Sequence, residues 1–131
     1  MMRLTVISKA KTQFIDITSE IQDTVTSRGI QNGLCFVFVP HTTAAVTINE
    51  NADPSVQSDM LNVLNKIIPW EMNYRHLEGN SAAHVKSTLV GASEIIAVEN
   101  GRLDLGTWQG IYFCEFDGPR TRHVNIKVIK D

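Results

Sequence analysis

The pattern of apolar and polar residues along the chain predicts short strands interrupted by helices. Leu4–Ser8 and Gln13–Ile17 alternate enough to form two strands joined by a polar turn. The continuous apolar run Gly33–Val39 predicts a buried central strand. After a break at Pro40–Thr43, the segment Ala44–Asn49 predicts a strand that lies next to it.

The first predicted helix follows Thr18, a residue that can cap free backbone N–H groups. Its apolar residues Ile21 and Val25 are four positions apart and therefore share one face. Gly29 is expected to end this helix, because glycine accepts the left-handed conformation that other residues avoid.

Two more helices are predicted in the middle of the chain. Asp53 and Pro54 start one of them, since Asp caps a helix and Pro suits its first position. Its apolar face consists of Val56, Met60, Val63, Leu64 and Ile67. A short helix is predicted from about Ser81 to Leu89, with Asn80 as its cap.

Two turn signals follow. Asn100-Gly101 predicts a tight hairpin, because both central residues of such a turn adopt positive φ. Thr107–Phe116 and Thr121–Ile129 predict a second hairpin around the letters DGPR. About seven strands and three helices without regular alternation favour an α+β fold with mostly antiparallel strands. The 131 residues, with no repeat or linker, predict a single domain spanning 1–131.

Composition narrows the class of partner. The formal net charge of −2 provides no general basic field, so nucleic-acid binding is not expected. No run approaches the roughly 20 apolar residues of a membrane helix, and the N-terminus lacks the pattern of a signal peptide. Cys35 and Cys114 lie in apolar strand-like runs, which predicts buried free thiols and a cytoplasmic protein.

Three of the four histidines lie where the secondary-structure pattern breaks, at loops that commonly carry function. His41, His76 and His84 together would supply three imidazole nitrogens with an open fourth position, an arrangement typical of catalytic zinc. Such a metal binds substrate oxygens or activates a water molecule.

Anion donors lie in the same segments. A helix that begins near Ser81 would present free backbone N–H groups to a phosphate. Arg75, Arg120 and Arg122 could add bidentate contacts.

Each of these residues also has a purely structural explanation. A single loop histidine is commonly just hydrogen-bonded or solvated. Asp53 and Asn80 are explained as helix caps, and Asp117 as part of a turn. His123 shares a strand face with polar residues, which favours a position facing solvent or another subunit. Spacing alone therefore leaves the metal site open.

Four polar motifs together resemble one family, the YjbQ-like proteins, often labelled secondary thiamine-phosphate synthase enzymes. In order, the motifs are PHTTAAVTINENADPSV, YRHLEGNSAAHVKSTLVG, NGRLDLGTWQG and FCEFDGPRTR. They span most of the chain from Gly33 onward. The resemblance implies a compact α+β domain with a β-sandwich, a homotrimer with sites near subunit contacts, and a divalent metal, most simply zinc, near the three histidines.

The resemblance also implies a function: coupling of hydroxymethylpyrimidine diphosphate to thiazole phosphate, with release of diphosphate. Its expected catalytic residues are Glu50, Asp53 and Asp117. Its expected phosphate- and substrate-binding residues are Thr42, Asn80, Ser81, Arg120 and Arg122. The same pocket would equally serve metal-assisted hydrolysis of a phosphate ester, or a metal- or metabolite-binding module without turnover.

Overall fold

Eight strands form two antiparallel sheets in the computed structural model, which describes all 131 residues. The strands are β1 (Met2–Ile7), β2 (Gln13–Asp16), β3 (Gly33–Phe38), β4 (Ala44–Glu50), β5 (Ser93–Glu99), β6 (Arg102–Leu103), β7 (Gln109–Glu115) and β8 (Thr121–Lys130). The helices are α1 (Thr18–Arg28), α2 (Pro54–Ile67) and α3 (Ser81–Val90). The larger sheet has the order β1-β8-β3-β5-β6 and the smaller one β2-β7-β4.

The predicted α+β fold with a β-sandwich and three helices is confirmed, but two predicted strand pairs are wrong. β3 and β4 are not neighbours, and β7 and β8 do not form a hairpin; the members of each pair lie in different sheets. In both cases a short segment containing a proline, Pro40 or Pro119, carries the chain from one sheet to the other. Proline lacks the N–H that a sheet ladder needs, so it favours such a crossing over continued pairing.

The main hydrophobic core lies between the two sheets. Its 15 buried residues come from both sheets and from α1, among them Val37, Val46, Phe113 and Ile126. A second cluster, which includes Ala83 and Phe116, fills the space between the small sheet and α3. Both cysteines are free and buried, as predicted.

The helix ends test the capping predictions. Asp53 caps α2 by accepting from the backbone N–H of Ser55 at 3.0 Å, and Gly29 ends α1 with φ of +66°. The prediction that Thr18 caps α1 is wrong. Thr18 is the first helical residue, and Asp16 accepts from its N–H at 2.9 Å. None of the three helices is long and apolar enough to cross a membrane.

β3 is central in its sheet, but only one of its faces is buried. Cys35 and Val37 point into the core, whereas Leu34, Phe36 and Phe38 lie on the outer face with substantial exposure. The segment Gly33–Val39 is uniformly apolar in sequence because the outer face of β3 is apolar as well as its inner face.

Candidate functional site

The site lies where the crossing from β3 to β4 meets the C-terminal end of α3. The backbone N–H of Val39 donates to the carbonyl oxygen of Ala92 at 2.8 Å, and that of Val46 donates to Gly91 at 3.1 Å. These bonds hold the helix end against the crossing segment and β4. His41 from the crossing and His84 from α3 therefore line one hollow.

His41 is held by the neighbouring strand β8. Its Nε2 accepts a hydrogen bond from the backbone N–H of His123 at 3.0 Å, and the two rings stack with centroids 6.3 Å apart. An Nε2 that accepts carries no proton, so the neutral ring has its proton on Nδ1. Burial, followed by the nearby charges of Arg122 and His123, lowers the pKa of His41 below its ordinary 6.5.

We name the space in front of His41 the histidine hollow; its volume is about 320 Å³. It is lined by His41, Thr42, Ala44, His84, Ser87, Thr88, Gly91 and Ala92. Ser87 is only 8% exposed, and its Oγ has no hydrogen-bond partner within the protein. A buried hydroxyl without a partner costs free energy, and a ligand in the hollow could supply the missing bond.

A second space, the arginine hollow, adjoins the first and has a volume of about 530 Å³. It is lined by Phe38, Val39, Pro40, His41, Thr42, Thr43, Ala92, Arg120 and Arg122. Neither hollow has a carboxylate among its lining residues. The pair of hollows thus offers hydrogen-bond donors and two guanidinium groups with no carboxylate in the lining, and each guanidinium is paired with an acidic residue outside it.

Arg122 lines the arginine hollow but is committed to a buried network. Its Nε donates to Oε1 of Glu115 at 2.9 Å, and its Nη2 donates to Oγ1 of Thr43 at 2.8 Å. Ser8 also donates to Oε1 of Glu115, at 2.7 Å. Burial by itself raises the pKa of Glu115, but the hydrogen bonds from Arg122, Ser8 and the N–H of Asp117 outweigh it and lower that pKa. Arg122 therefore holds the start of β4 in place.

Arg120 is the more available cation. It is 49% exposed, and its ion pair with Asp117 measures 3.1 Å between Nη2 and Oδ2. Its Nε donates to the backbone carbonyl of Asp117 at 2.9 Å, which leaves Nη1 for a ligand. Asp117 also accepts from Nδ2 of Asn80 at 2.9 Å. Asn80 occupies the N-cap position of α3, as predicted, but its side chain makes no capping bond because its amide is turned toward Asp117.

The other predicted residues lie at different distances from the hollows. Ser81 is the first residue of α3, and His76 approaches His84 with ring centroids 5.4 Å apart. Glu50 ends β4, the strand that starts at the site with Ala44, so it lies about 20 Å away along the strand. Asp53 lies beyond Glu50, is fully exposed and caps α2. The structure does not bring either carboxylate to the histidines.

The chain as folded has no preformed three-histidine zinc centre. No group of three or more histidine, cysteine, aspartate or glutamate side chains is placed to hold a metal ion. His76 and His84 form a pair, but Nε2 of His41 is already used by the backbone of β8. The residues present therefore do not fit a preformed catalytic metal site.

Sequence reasoning missed several residues of this region. Ser87 and Thr88 follow His84 by three and four positions, a spacing that places all three on one helix face and could have been recognised. Glu115 and Lys86 give no such signal. Lys86 is buried in α3 and donates to Oδ1 of Asn65 at 2.6 Å, which ties α3 to α2. Burial, and then the charge of Lys11, lowers its pKa.

A larger hollow lies elsewhere, at the N-terminus of α1, with a volume of about 790 Å³. Its charged residues are Asp16, Asp23 and Arg102. The carboxylate of Asp16 is occupied by Thr18 and Asn51, and no predicted site residue lies there. Size alone therefore does not identify the functional site.

Known proteins with the same sequence pattern share this fold. The chain is 58% identical over 118 residues to the UPF0047 protein YugU of Bacillus subtilis, covering 89% of each chain. It is 51% identical over 119 residues to a UPF0047 protein of Methanocaldococcus jannaschii, covering 91% of this chain and 86% of that one. A crystal structure of a YjbQ/UPF0047 family protein from Clostridium acetobutylicum matches with a TM-score of 0.97 and 51% identity, over 98% of this chain and 100% of that one. A protein of unknown function from Sulfolobus solfataricus matches with a TM-score of 0.94 and 32% identity, over 98% and 95% of the two chains.

These comparisons correct the predicted function. The two similar structures are described as uncharacterised or of unknown function, and none of the four similar proteins is described as a thiamine-phosphate synthase. The predicted synthase activity is therefore wrong as an assignment for this chain. None of the four proteins is described as a phosphate-ester hydrolase either.

The family itself is unambiguous. The model of the UPF0047 protein YjbQ-like family matches residues 2–131, almost the whole chain. The sequence motifs, the fold and the similar proteins agree with that match. The chain belongs to the UPF0047 family of YjbQ-like proteins.

Proposed function

We propose that this protein binds a small phosphorylated molecule across the arginine and histidine hollows. The observation that carries the proposal is Ser87, which lines a hollow without carboxylates and whose buried Oγ has no partner within the protein. Ligand pockets typically combine a concave shape with a few convergent polar groups that lack internal partners.

The donors suit a phosphate group at one end. Nη1 of Arg120 is free, and three residues that carry hydroxyls, Thr42, Ser87 and Thr88, line the adjoining histidine hollow. His41 keeps its proton on Nδ1 and can donate it without carrying a charge. Charge-assisted bonds from a guanidinium to phosphate are stronger than those between neutral groups, so Arg120 should dominate the affinity.

Titration with inorganic phosphate, followed by NMR chemical shifts of the histidine rings, tests this proposal. We expect saturable shifts of His41 and His84 and about a tenfold loss of affinity in Arg120→Gln, since a bond to a charged group contributes roughly 1.5 kcal/mol or more. Arg102→Gln is the matched control, because Arg102 lines the separate hollow near α1. Absence of saturable shifts, or an equal loss in both variants, would refute phosphate binding here.

We also propose that the chain forms a homotrimer through the outer face of the larger sheet. The support is a mostly apolar surface on that face, made of Leu34, Phe36, Phe38, Ile95 and Ile129 and bordered by Lys127. Large exposed apolar patches mark interaction surfaces. Phe38 also lines the arginine hollow, so a subunit on this face would approach the ligand site.

Analytical ultracentrifugation tests the assembly. A trimer mass is expected for the wild type and a smaller species for Ile95→Lys, because a lysine in the centre of an apolar interface must lose its hydration. Val63→Lys, at a similarly exposed position on α2, is the control and should keep the trimer mass. A monomeric wild type would contradict the proposal.

Two further predictions remain proposals. A divalent metal would need ligands beyond the His76–His84 pair, and elemental analysis of protein purified without added metal, compared with His76→Ala, tests for it. Equal metal content in the two proteins would contradict binding at this pair. The two free thiols support a reducing compartment such as the cytoplasm.

A further inference from the structure

We infer that the ligand is an amphipathic anion, with its acidic group in the arginine hollow and an apolar tail that runs along α3. This inference rests on the proposed phosphate site and names the class of molecule that occupies it. The observation behind it is a series of adjoining hollows whose linings change from cationic to apolar.

The hollows share residues at each boundary. The arginine and histidine hollows have His41, Thr42 and Ala92 in common. On its other side the histidine hollow shares His84 and Thr88 with a third space of about 340 Å³, which we name the apolar shelf. The shelf is lined by His84, Val85, Thr88 and Leu89.

The chemistry changes in the same direction. Arg120 and Arg122 stand at one end, whereas the shelf presents Val85 and Leu89, which are far more exposed than most apolar residues of this chain. Val85 and Leu89 are four positions apart on α3, so they extend along the helix for about 6 Å. That length accommodates a short alkyl chain.

Beyond the shelf, the apolar surface continues. Leu89 also lines a groove of about 530 Å³ between α2 and α3, floored by Phe14 of β2. Met60, Val63 and Leu64 of α2 line its other wall, and no residue of α2 is fully buried. A tail longer than the shelf would therefore stay on apolar surface by entering this groove.

An inorganic phosphate would use only the cationic end of this series. The apolar side chains of the shelf and groove would then stay in contact with water, and the ligand would gain no binding free energy from them. A ligand with both an acidic group and a tail uses every part. The polar end has two guanidinium groups and no carboxylate in its lining, so it favours an acidic head over a cationic one.

Binding of a series of alkyl phosphates, measured by calorimetry below their micelle concentrations, tests the inference. Affinity should rise about twofold for each methylene from ethyl to hexyl phosphate, because an open shelf buries roughly half of each group. Leu89→Ser should reduce hexyl phosphate binding several-fold and leave inorganic phosphate binding unchanged. Ile67→Ser is the matched control, since Ile67 and Leu89 are both 61% exposed but Ile67 lines none of these hollows. Hexanoate, run in parallel, distinguishes a carboxylate head from a phosphate head.

The outcomes separate the two proposals. Phosphate binding with no dependence on chain length would overturn the inference and leave the phosphate site standing. Loss of phosphate binding altogether would overturn the site itself. A change in sedimentation of Leu89→Ser, together with no gain from the alkyl chain, would show that a second copy of the chain covers the shelf and would also overturn the inference.

Discussion

Replacing Arg122 with methionine should destabilise the protein strongly, because Glu115 would be left buried without its cation. Arg122 and Glu115 are both almost fully buried, and the guanidinium also bonds to Thr43. Removing one partner of a buried ion pair typically costs about 3–5 kcal/mol of the free energy of unfolding. For a chain of this length, that corresponds to a decrease in Tm of roughly 10–20 °C.

The pH dependence makes this prediction specific. In the wild type the folded state lowers the pKa of Glu115, so its contribution is present above the unfolded value near 4.5 and is lost as pH falls. Without Arg122, burial dominates and raises that pKa, so the folded variant favours a protonated carboxyl. Arg122→Met should therefore recover part of its lost stability as pH decreases from 8 to 5.

Urea denaturation at both pH values, at one fixed protein concentration, measures these differences. Arg120→Met is the matched control, since its ion pair with Asp117 is half exposed and such pairs contribute only about 0–1 kcal/mol. Equal losses in the Arg122 and Arg120 variants would refute the reasoning. So would a pH slope in Arg122→Met that matches the wild type.

Three further predictions concern single residues. The free energy of unfolding should fall as pH decreases from 7 to 5.5, because the lowered pKa of His41 in the folded state means that the unfolded chain takes up the proton first. Urea midpoints should show a smaller fall in His41→Gln than in the wild type. An identical pH dependence of the two midpoints would contradict this. Gly33→Ala should lower the free energy of unfolding by about 3 kcal/mol or more in the same assay, since the added Cβ would lie 1.9 Å from the carbonyl oxygen of Ile129. Gly29→Ala should lower it by only about 1 kcal/mol, because Gly29 has open space around it and only its φ of +66° is unfavourable for alanine. Equal losses in the two variants would argue against the close approach at Gly33. Burial raises the pKa of Cys35 to about 11, so this thiol should react with a disulfide reagent at pH 8 only after denaturant is added. Rapid reaction of the folded protein would be inconsistent with the fold.

Local structure was largely predictable from the sequence, because its causes lie within a few residues. Asp53 caps α2 through a bond to a residue two positions away, and Asn100 and Gly101 adopt positive φ, with values of 52° and 78°. The wrong prediction that Thr18 caps α1 also has a local cause. Asp16, two residues earlier, accepts hydrogen bonds from both the backbone N–H and the hydroxyl of Thr18, so the helix begins at Thr18 instead of after it.

Strand pairing and the site were decided by contacts between distant parts of the chain. His41 and His123 are 82 positions apart, and Arg122 reaches Thr43 across 79 positions. No spacing rule predicts these pairs, since they exist only because Pro40 and Pro119 lie where the chain crosses between the sheets. Glu50 and Asp53 appear close to His41 in sequence, but an extended strand of seven residues separates them in space.

The sequence by itself determined the family, the α+β class and the helices, because periodicity, caps and motifs act over short distances. Only the tertiary structure decided that the three histidines do not form a metal cluster, that Arg122 is committed to Glu115, and that Ser87 borders a hollow without a partner. The physical reason is that a side chain's free donors and acceptors are those left over after packing. Packing depends on which distant strands meet.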